Sequence, residues 1–384
     1  MAAASIEPHL NNKPVAYIHL DNIQANLDLV RSKSPGCKTM AVIKANAYGH
    51  GVELVAPALQ RMDAFAVARV EEALAVRSLG VQIPVYVLQG FLDETELRHC
   101  QSSQLIPMIH SLEQWQLANS LGLQLSCWLK FDTGMHRLGL SGSEIDLVLS
   151  QPGSLVIGGI ASHFANADVA DHEENLQQLQ LFESITGPIS VERSMAGSGA
   201  ILGLNASHYD WVRPGIMLYG SAASNSYDPA LKPGMTLTAP ILALRDLPAG
   251  ESIGYGSTWQ SVKTTRIAVV GIGYADGYPR EIPPGTPVLI NGTRCPIVGR
   301  VSMDMVMVEV PASVPARRGD RAVMFGDKLF IDDVASHIGT LGYTLMSGLT
   351  ARVARVVSTV SAETFSAKKR SAESLVRQPS NDTN

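Results

Sequence analysis

The strongest constraint on what this chain can fold into is an alternation. From about Ala16 to about Tyr219, short apolar runs alternate with segments that are apolar on one helical face only. A helical crossover returns the chain so that the next strand lies parallel to the last, so this is the pattern of βα units around a parallel sheet. The apolar runs are KTMAVIK (38–44), DAFAVA (63–68), PVYVL (84–88), LIPMI (105–109), LSCWLKFD (125–132), LVIGGIAS (155–162), ISVERS (189–194) and YDWVR (209–213), with AYIHL (16–20) ahead of them. Helix patterns fall between them: Ile23 to Arg31, Val70 to Leu79 stopped by Gly80, Leu112 to Leu121 stopped by Gly122, and a stripe of Leu176, Leu179, Phe182 and Ile185. Eight or nine parallel strands predict an α/β fold in the form of a closed (β/α)8 barrel of the TIM type.

Such a barrel takes about 250 residues, and the chain has 384. A second domain is required. After Gly220 the texture changes: TLTAPILALRDL, ESIGYGSTWQSV, TRIAVVGIGYA, TPVLINGTRCPIVG, SMDMVMVEVP and RAVMFG read as strands, and Asn291 with Gly292 suits a type I′ hairpin turn. A short helix from Ile331 to Ile338 and a last segment from Leu345 to Val357 complete this part. The expectation is a barrel over 10–238, a mainly antiparallel β domain over 239–365, and a polar, disordered tail over 366–384.

Charged residues make up 17% of the chain, against about 25% in an average soluble protein. So little charge predicts that part of the outside is covered, most simply by a second copy in a homodimer. Thirty Lys and Arg against 35 Asp and Glu give a net charge of −5 with no recurring basic stripe, which argues against nucleic acid as a partner. The longest stretch without charge, Leu147 to Ala167, is interrupted by Gln151, Pro152, Gly153, Gly158, Gly159 and His163, so no membrane span is expected. The start, MAAASIEPHLNNKP, lacks a basic region followed by an apolar run, and the reading is cytoplasmic. Cys37, Cys100, Cys127 and Cys295 form no CxxC pair and no metal-ligand spacing, so reduced thiols and no metal are expected.

Barrel active sites are built at the C-terminal ends of the strands, so the polar residues that follow each apolar run are the candidates. They are Lys44 with NAYGHG behind it, DTGMHRLG with Arg137, then His163, Ser198, and Arg213 before Pro214 and Gly215. Lys44 stands between an apolar strand and a Gly-rich loop, where desolvation would lower its pKa. Taken alone it is more simply a lysine snorkelling from a strand end; the company of the others reverses that. Ser198 in SMAGSGA and the RPGI turn offer small residues and backbone N–H groups where barrels often bind phosphate, although ordinary turn chemistry explains them as well. GSGAILG and GIGYADG read GxGxxxG rather than the dinucleotide GxGxxG. In the β part, Tyr255 lies between two glycines in IGYGSTW, and Tyr274 lies in GYADGYPR.

AVIKANAYGHG, DTGMHRLG, HFANAD, RPGIMLYG, YGST, GYADGYPR and GRVSMDM occur in this order, and over nearly the whole chain the sequence resembles the alanine racemases. KANAYGHG alone would indicate only a barrel that binds pyridoxal 5′-phosphate (PLP); YGST and SMD narrow the resemblance to a racemase. The resemblance implies a Schiff base between Lys44 and PLP, with Tyr48, Ser198, Gly215, Ile216 and Tyr343 on the phosphate. It implies His163 beside the pyridine ring and Arg213 on the ring nitrogen. Arg137, with Met303 from the partner subunit, would receive the substrate carboxylate, and Tyr274 would help shape the pocket. Tyr255, also from the partner, would be a second base. The family lysine matching Lys130 is sometimes carbamylated, which would make it an anion orienting Arg137.

The implied activity is interconversion of L-alanine and D-alanine, supplying D-alanine for peptidoglycan or consuming it. Removing a proton from one face and returning it to the other needs two bases, which Lys44 and Tyr255 would be. Alternatives are an amino-acid racemase of broader specificity and a PLP-binding protein without catalysis; Tyr255 and the second domain weigh against the latter.

Overall fold

The computed structural model describes residues 10–59, 61–151, 153–222 and 230–358; the tail expected over 366–384 lies outside the described residues. The described chain divides into two compact units, one of Asn22–Lys232 with Leu341–Ser347, the other of the residues up to Asp21, Pro233–Thr340 and those from Gly348 onward. The first strand, β1 (Val15–Ile18), belongs to the second unit, where it pairs antiparallel with Met235–Thr238 and parallel with Ala354–Val357. It is therefore no ninth barrel strand.

The first unit is the expected barrel, closed by β2 (Lys38–Val42), β3 (Ala64–Val67), β4 (Val85–Val87), β5 (Leu105–Ile109), β6 (Leu125–Lys130), β7 (Leu155–Ala161), β8 (Glu192–Gly197) and β9 (Trp211–Arg213). Every neighbouring pair is parallel, and β9 returns to β2 through Lys38↔Trp211 and Thr39↔Val212. Continuous apolar runs such as AFAV and VYV form strands here because they are buried on both faces. Tyr86, Trp128 and Trp211 meet edge to face, with ring centroids 5.4, 5.9 and 6.2 Å apart. A Cβ on Gly159 would stand 2.5 Å from the Trp128 ring, so glycine is what lets β7 pass this indole.

Two elements depart from the sequence reading. The strand expected over 189–194 runs from Glu192 to Gly197, because MAG is buried and continues the ladder beside β9. The helix Glu173–Thr186 is not seated on its leucines: Leu176 is 57% exposed, and the buried residues are Asn175, Gln178, Phe182 and Thr186. Its buried amides are occupied by loop backbone, Asn175 donating to the carbonyls of Asn166 and Val169 at 3.1 and 2.9 Å.

The second unit is built on an eight-stranded sheet, with a separate ribbon of Ser252–Ile253 against Trp259–Gln260 and the helix Ile331–Ile338. The order in the sheet is Thr265–Val270, Val306–Val310, Thr293–Val298, Pro287–Ile290, Arg321–Phe325, Met235–Leu247, β1 and Ala354–Val357. Thr265–Val270 also pairs with Met235–Leu247, which closes six of these strands into a ring; only β1 with Ala354–Val357 is parallel. Asn291 and Gly292 make the hairpin turn with φ of 46° and 79°, as a type I′ turn requires. No helix among the described residues is long and apolar enough to cross a membrane.

Candidate active site

The chain leaves β2 in an unusual way. After Lys44, the residues Ala45, Asn46, Ala47 and Tyr48 all have φ between 51° and 55°, a full turn of left-handed helix made without glycine. Such a conformation costs roughly 1–2 kcal/mol per residue, so neighbouring groups must enforce it. They do so at several points. Ala45 N–H donates to Glu72 Oε1 at 2.7 Å, and Val52 N–H to Asn46 Oδ1 at 2.8 Å. The buried His50 ring places Nδ1 3.1 and 3.0 Å from the carbonyls of Ala47 and Tyr48. Gly49 closes the turn at φ 78°, and a Cβ there would be 1.9 Å from the Met346 carbonyl, so no other residue fits. The result presents Lys44 half-buried, with Tyr48 stacked on Tyr219 and 5.9 Å from the Tyr343 ring.

Cations gather on this rim. Lys130 is the last residue of β6, Arg213 the last of β9, and Arg137 sits in the loop after β6. Burial lowers the Lys44 pKa and Arg137 lowers it further, with Glu72 opposing. Lys130 is pushed down to about 8 by burial, then by Arg213, Arg137 and Lys44. His163, just beyond β7, is held neutral by burial and by the same cations. Arg213 is buried among neutral partners, Ser194 Oγ at 2.5 Å, the Met195 carbonyl at 3.2 Å, the Ser162 carbonyl and His163 Nδ1 at 3.4 Å; burial lowers its pKa to about 10. So much positive charge in one place is suited to an anionic guest.

Beside it, Ser198 Oγ accepts from the Gly215 N–H at 2.9 Å and the Met217 N–H at 3.4 Å, with Ile216 fully buried between them. A Cβ on Gly215 would lie 2.5 Å from the Tyr48 hydroxyl. The Ser198 and Tyr48 hydroxyls thus stand at an uncrowded glycine edge, beside two backbone N–H groups held by Ser198 Oγ, a polar edge that fits a phosphate monoester. The buried guanidinium of Arg213 fits an uncharged ring-nitrogen acceptor. These residues fit PLP.

The barrel unit therefore brings together Lys44, Tyr48, Arg137, His163, Ser198, Arg213, Gly215, Ile216 and Tyr343 within its own fold. Tyr255, Tyr274 and Met303 lie on the other unit. Tyr255 begins a turn between Gly254 and Gly256 and is 71% exposed in the single chain. The Tyr274 and Ala275 N–H groups donate to the carbonyls of Ser302 and Met303 at 3.1 and 3.0 Å, which ties Tyr274 to the Met303 loop. Arg352 fastens the same two segments, 3.0 Å from Asp276 and 2.6 Å from Asp304.

The sequence reading missed Gln178. Its side chain accepts from the Ala165 N–H at 3.0 Å and donates to the His163 carbonyl at 3.2 Å and Thr133 Oγ1 at 3.1 Å, fixing the loop that carries His163. The available signal was a glutamine inside an apolar-periodic helix two turns from the HFANAD loop.

A closed βα barrel with a lysine, arginines and a phosphate cradle at its mouth, followed by a β unit, defines a PLP-type barrel enzyme. Residues 18–223 match the model for the alanine racemase N-terminal domain, and residues 234–357 the model for its C-terminal domain. The alanine racemase of Aeromonas hydrophila is 42% identical over 88% of this chain and 98% of its own length, and that of Vibrio cholerae 43% over 88% and 96%. The biosynthetic alanine racemase of Pseudomonas aeruginosa superposes with a TM-score of 0.87 at 42% identity, covering 90% of this chain and 99% of the other. The alanine racemase of Bartonella henselae, solved with covalently bound pyridoxal phosphate, gives 0.84 at 30% identity over 90% and 99%. The chain belongs to the alanine racemase family.

Proposed function

We propose that this protein interconverts L-alanine and D-alanine with PLP, in a site that two subunits complete. The observation that carries the reading is the cluster of Lys44, Lys130, Arg137, Arg213 and neutral His163 beside the Ser198 and Gly215 cradle. Family membership and the covalently held cofactor of the Bartonella relative support it. When bound, PLP joins an amine through its aldehyde and draws electrons from the α-carbon, which makes the α-hydrogen acidic.

The chain's own groups do the rest. Ser198, the Gly215 and Ile216 backbone, Tyr48 and Tyr343 hold the phosphate. Arg213 donates to the ring nitrogen and, being a cation with a pKa of about 10, does not give up its proton there. With PLP bound, Arg213 would leave the ring nitrogen without a proton of its own and so would weaken the electron sink, limiting side reactions such as transamination. His163 packs by the ring as an uncharged imidazole. Arg137 and the partner subunit's Met303 receive the substrate carboxylate, and Tyr274 limits the side chain to a small one.

Lys44, its basicity lowered by burial and Arg137, exchanges the proton on one face of the α-carbon. Tyr255 exchanges it on the other face. A base 71% exposed is poorly placed for proton transfer in a dry site, so a second subunit supplies both the barrel it serves and the cover it needs.

Lys44→Ala tests the assignment directly. The variant is expected to lose the visible absorbance of bound PLP and all racemisation in an assay across alanine, serine, lysine and arginine. Retained racemisation would refute it.

A further inference from the structure

Among the groups that hold the left-handed turn after Lys44 is one carboxylate from a neighbouring helix. Glu72 sits three residues into the helix Val70–Ser78, whose first turn faces the end of β3. Its Oε2 accepts from the N–H groups of Ala68 and Arg69 at 2.8 and 3.2 Å, an ordinary helix-capping arrangement. Its Oε1 points the other way and accepts from the Ala45 N–H at 2.7 Å, the first amide after Lys44. Helix capping needs only one of the two oxygens. The second is spent on a segment with four successive residues in a conformation that L-residues resist.

We propose that Glu72 is a positioning residue for Lys44, holding the strained turn so that the lysine amine is aimed into the barrel mouth while also supplying a negative charge beside it. The inference rests on Lys44 being the residue that binds PLP. The charged and titratable groups facing Lys44 are Arg137 and Lys130 from β6 and the loop after it, His163 from the end of β7, and Glu72 from its helix. Glu72 is the carboxylate in that set, and it acts against Arg137 and burial on the Lys44 ammonium. Its loss therefore has two separable effects, a lysine that deprotonates at lower pH and a turn that is no longer held.

The test follows the rate at which visible absorbance appears when PLP is added to the full-length apoprotein, measured across pH. The neutral Lys44 amine adds to the aldehyde and water leaves, so the acid limb reports deprotonation of Lys44 and the plateau reports its placement. A carboxamide has a single acceptor oxygen, so Glu72→Gln can cap the helix only by turning its NH2 toward the Ala45 N–H. It is expected to move the acid limb to lower pH and to reduce the plateau about tenfold. Glu72→Asp keeps the charge but shortens the reach, so its limb stays in place while its plateau falls. Glu144 caps the helix Gly142–Ser150 by accepting from both the N–H and the hydroxyl of Ser141, a contact confined to its own helix start, and Glu144→Gln is expected to leave both quantities unchanged.

The proposal is overturned if Glu72→Gln matches the wild type in limb and plateau, or if its only effect is a loss of melting temperature equal to that of Glu144→Gln. Should Glu72→Gln not fold, Glu72→Asp decides: an unchanged plateau in that variant overturns the proposal. Lys44→Ala separates the two failures: absorbance that still develops in it refutes the role of Lys44, whereas absorbance lost there with wild-type limb and plateau in Glu72→Gln refutes the role of Glu72 alone.

Discussion

A lysine surrounded by cations is a different reagent from a lysine in water, and Lys130 is the case in point. Burial and the charges of Arg213, Arg137 and Lys44 bring its pKa to about 8, so its neutral amine is far more available near neutral pH than that of a lysine in water. A neutral amine adds to carbon dioxide, releasing a proton and leaving a carbamate whose negative charge suits the two arginines. The addition needs the unprotonated amine and releases a proton, so both effects favour the carbamate at higher pH: it should accumulate as pH rises through 8 and disappear as it falls below. Incubation with 13C-bicarbonate at pH 8.5 is expected to give a carbamate carbon signal that is absent in Lys130→Ala. If the carbamate orients Arg137, that variant should also show a KM for alanine several-fold higher. Equal signals in the two proteins would show that Lys130 is not the modified residue. Arg137 and Arg213 were legible as polar residues at or after the ends of apolar runs, whereas Lys130 falls inside the run 125–132 and stood out only through the family resemblance. Nothing in the sequence hinted at Glu72 or Gln178, since an acid in a first helical turn and an amide inside a helix are what any surface helix contains.

Among the elements, the turn from Ala45 to Tyr48 is the one that propensity reads worst. The Lys and two Ala of KANAY favour a right-handed helix, and no glycine announces the opposite hand; Glu72 from a neighbouring helix, His50 just beyond the turn and the Asn46 side chain within it hold that hand. This has a consequence of reversed sign. Ala45 is exposed at φ 51°, where its Cβ is strained, and Ala75 is exposed in the interior of an ordinary helix. Ala45→Gly is expected to stabilise the protein by about 0.5–1 kcal/mol, whereas Ala75→Gly should destabilise it by about 1 kcal/mol. Urea unfolding midpoints of the two variants would check this, and a loss in both would mean that the turn is not held in the left-handed form in solution. Elsewhere the elements were legible where apolar runs were flanked by turn residues, as at Asn291 and Gly292. They were not where amides took the buried face, as in Glu173–Thr186.

At the scale of the molecule, the alternation of strands and helices was enough to specify the barrel, since eight parallel strands have few ways to avoid exposed edges. It could not say which sheet β1 joins, because an apolar strand looks the same beside any partner; its pairing with Met235–Leu247 and Ala354–Val357 is a long-range choice. The same limit applies to assembly. Tyr255 is exposed on one unit and Lys44 lies in the mouth of the other, and the proposed dimer makes a quantitative prediction from that separation. If each site takes Lys44 from one subunit and Tyr255 from its partner, then in a mixed dimer of Lys44→Ala and Tyr255→Phe one site carries both substitutions and the other carries neither. Coexpression of the two differently tagged variants in equal amounts yields mixed dimers as about half of the population, and hence about one quarter of wild-type activity, from two parents that are each nearly inactive. Purifying the doubly tagged species should raise this to about one half, since one site of each pair is then intact. If instead both groups of a site belong to one chain, every site in the mixture carries a single substitution and coexpression restores nothing. The assay needs only D-alanine formation per milligram and the two tags.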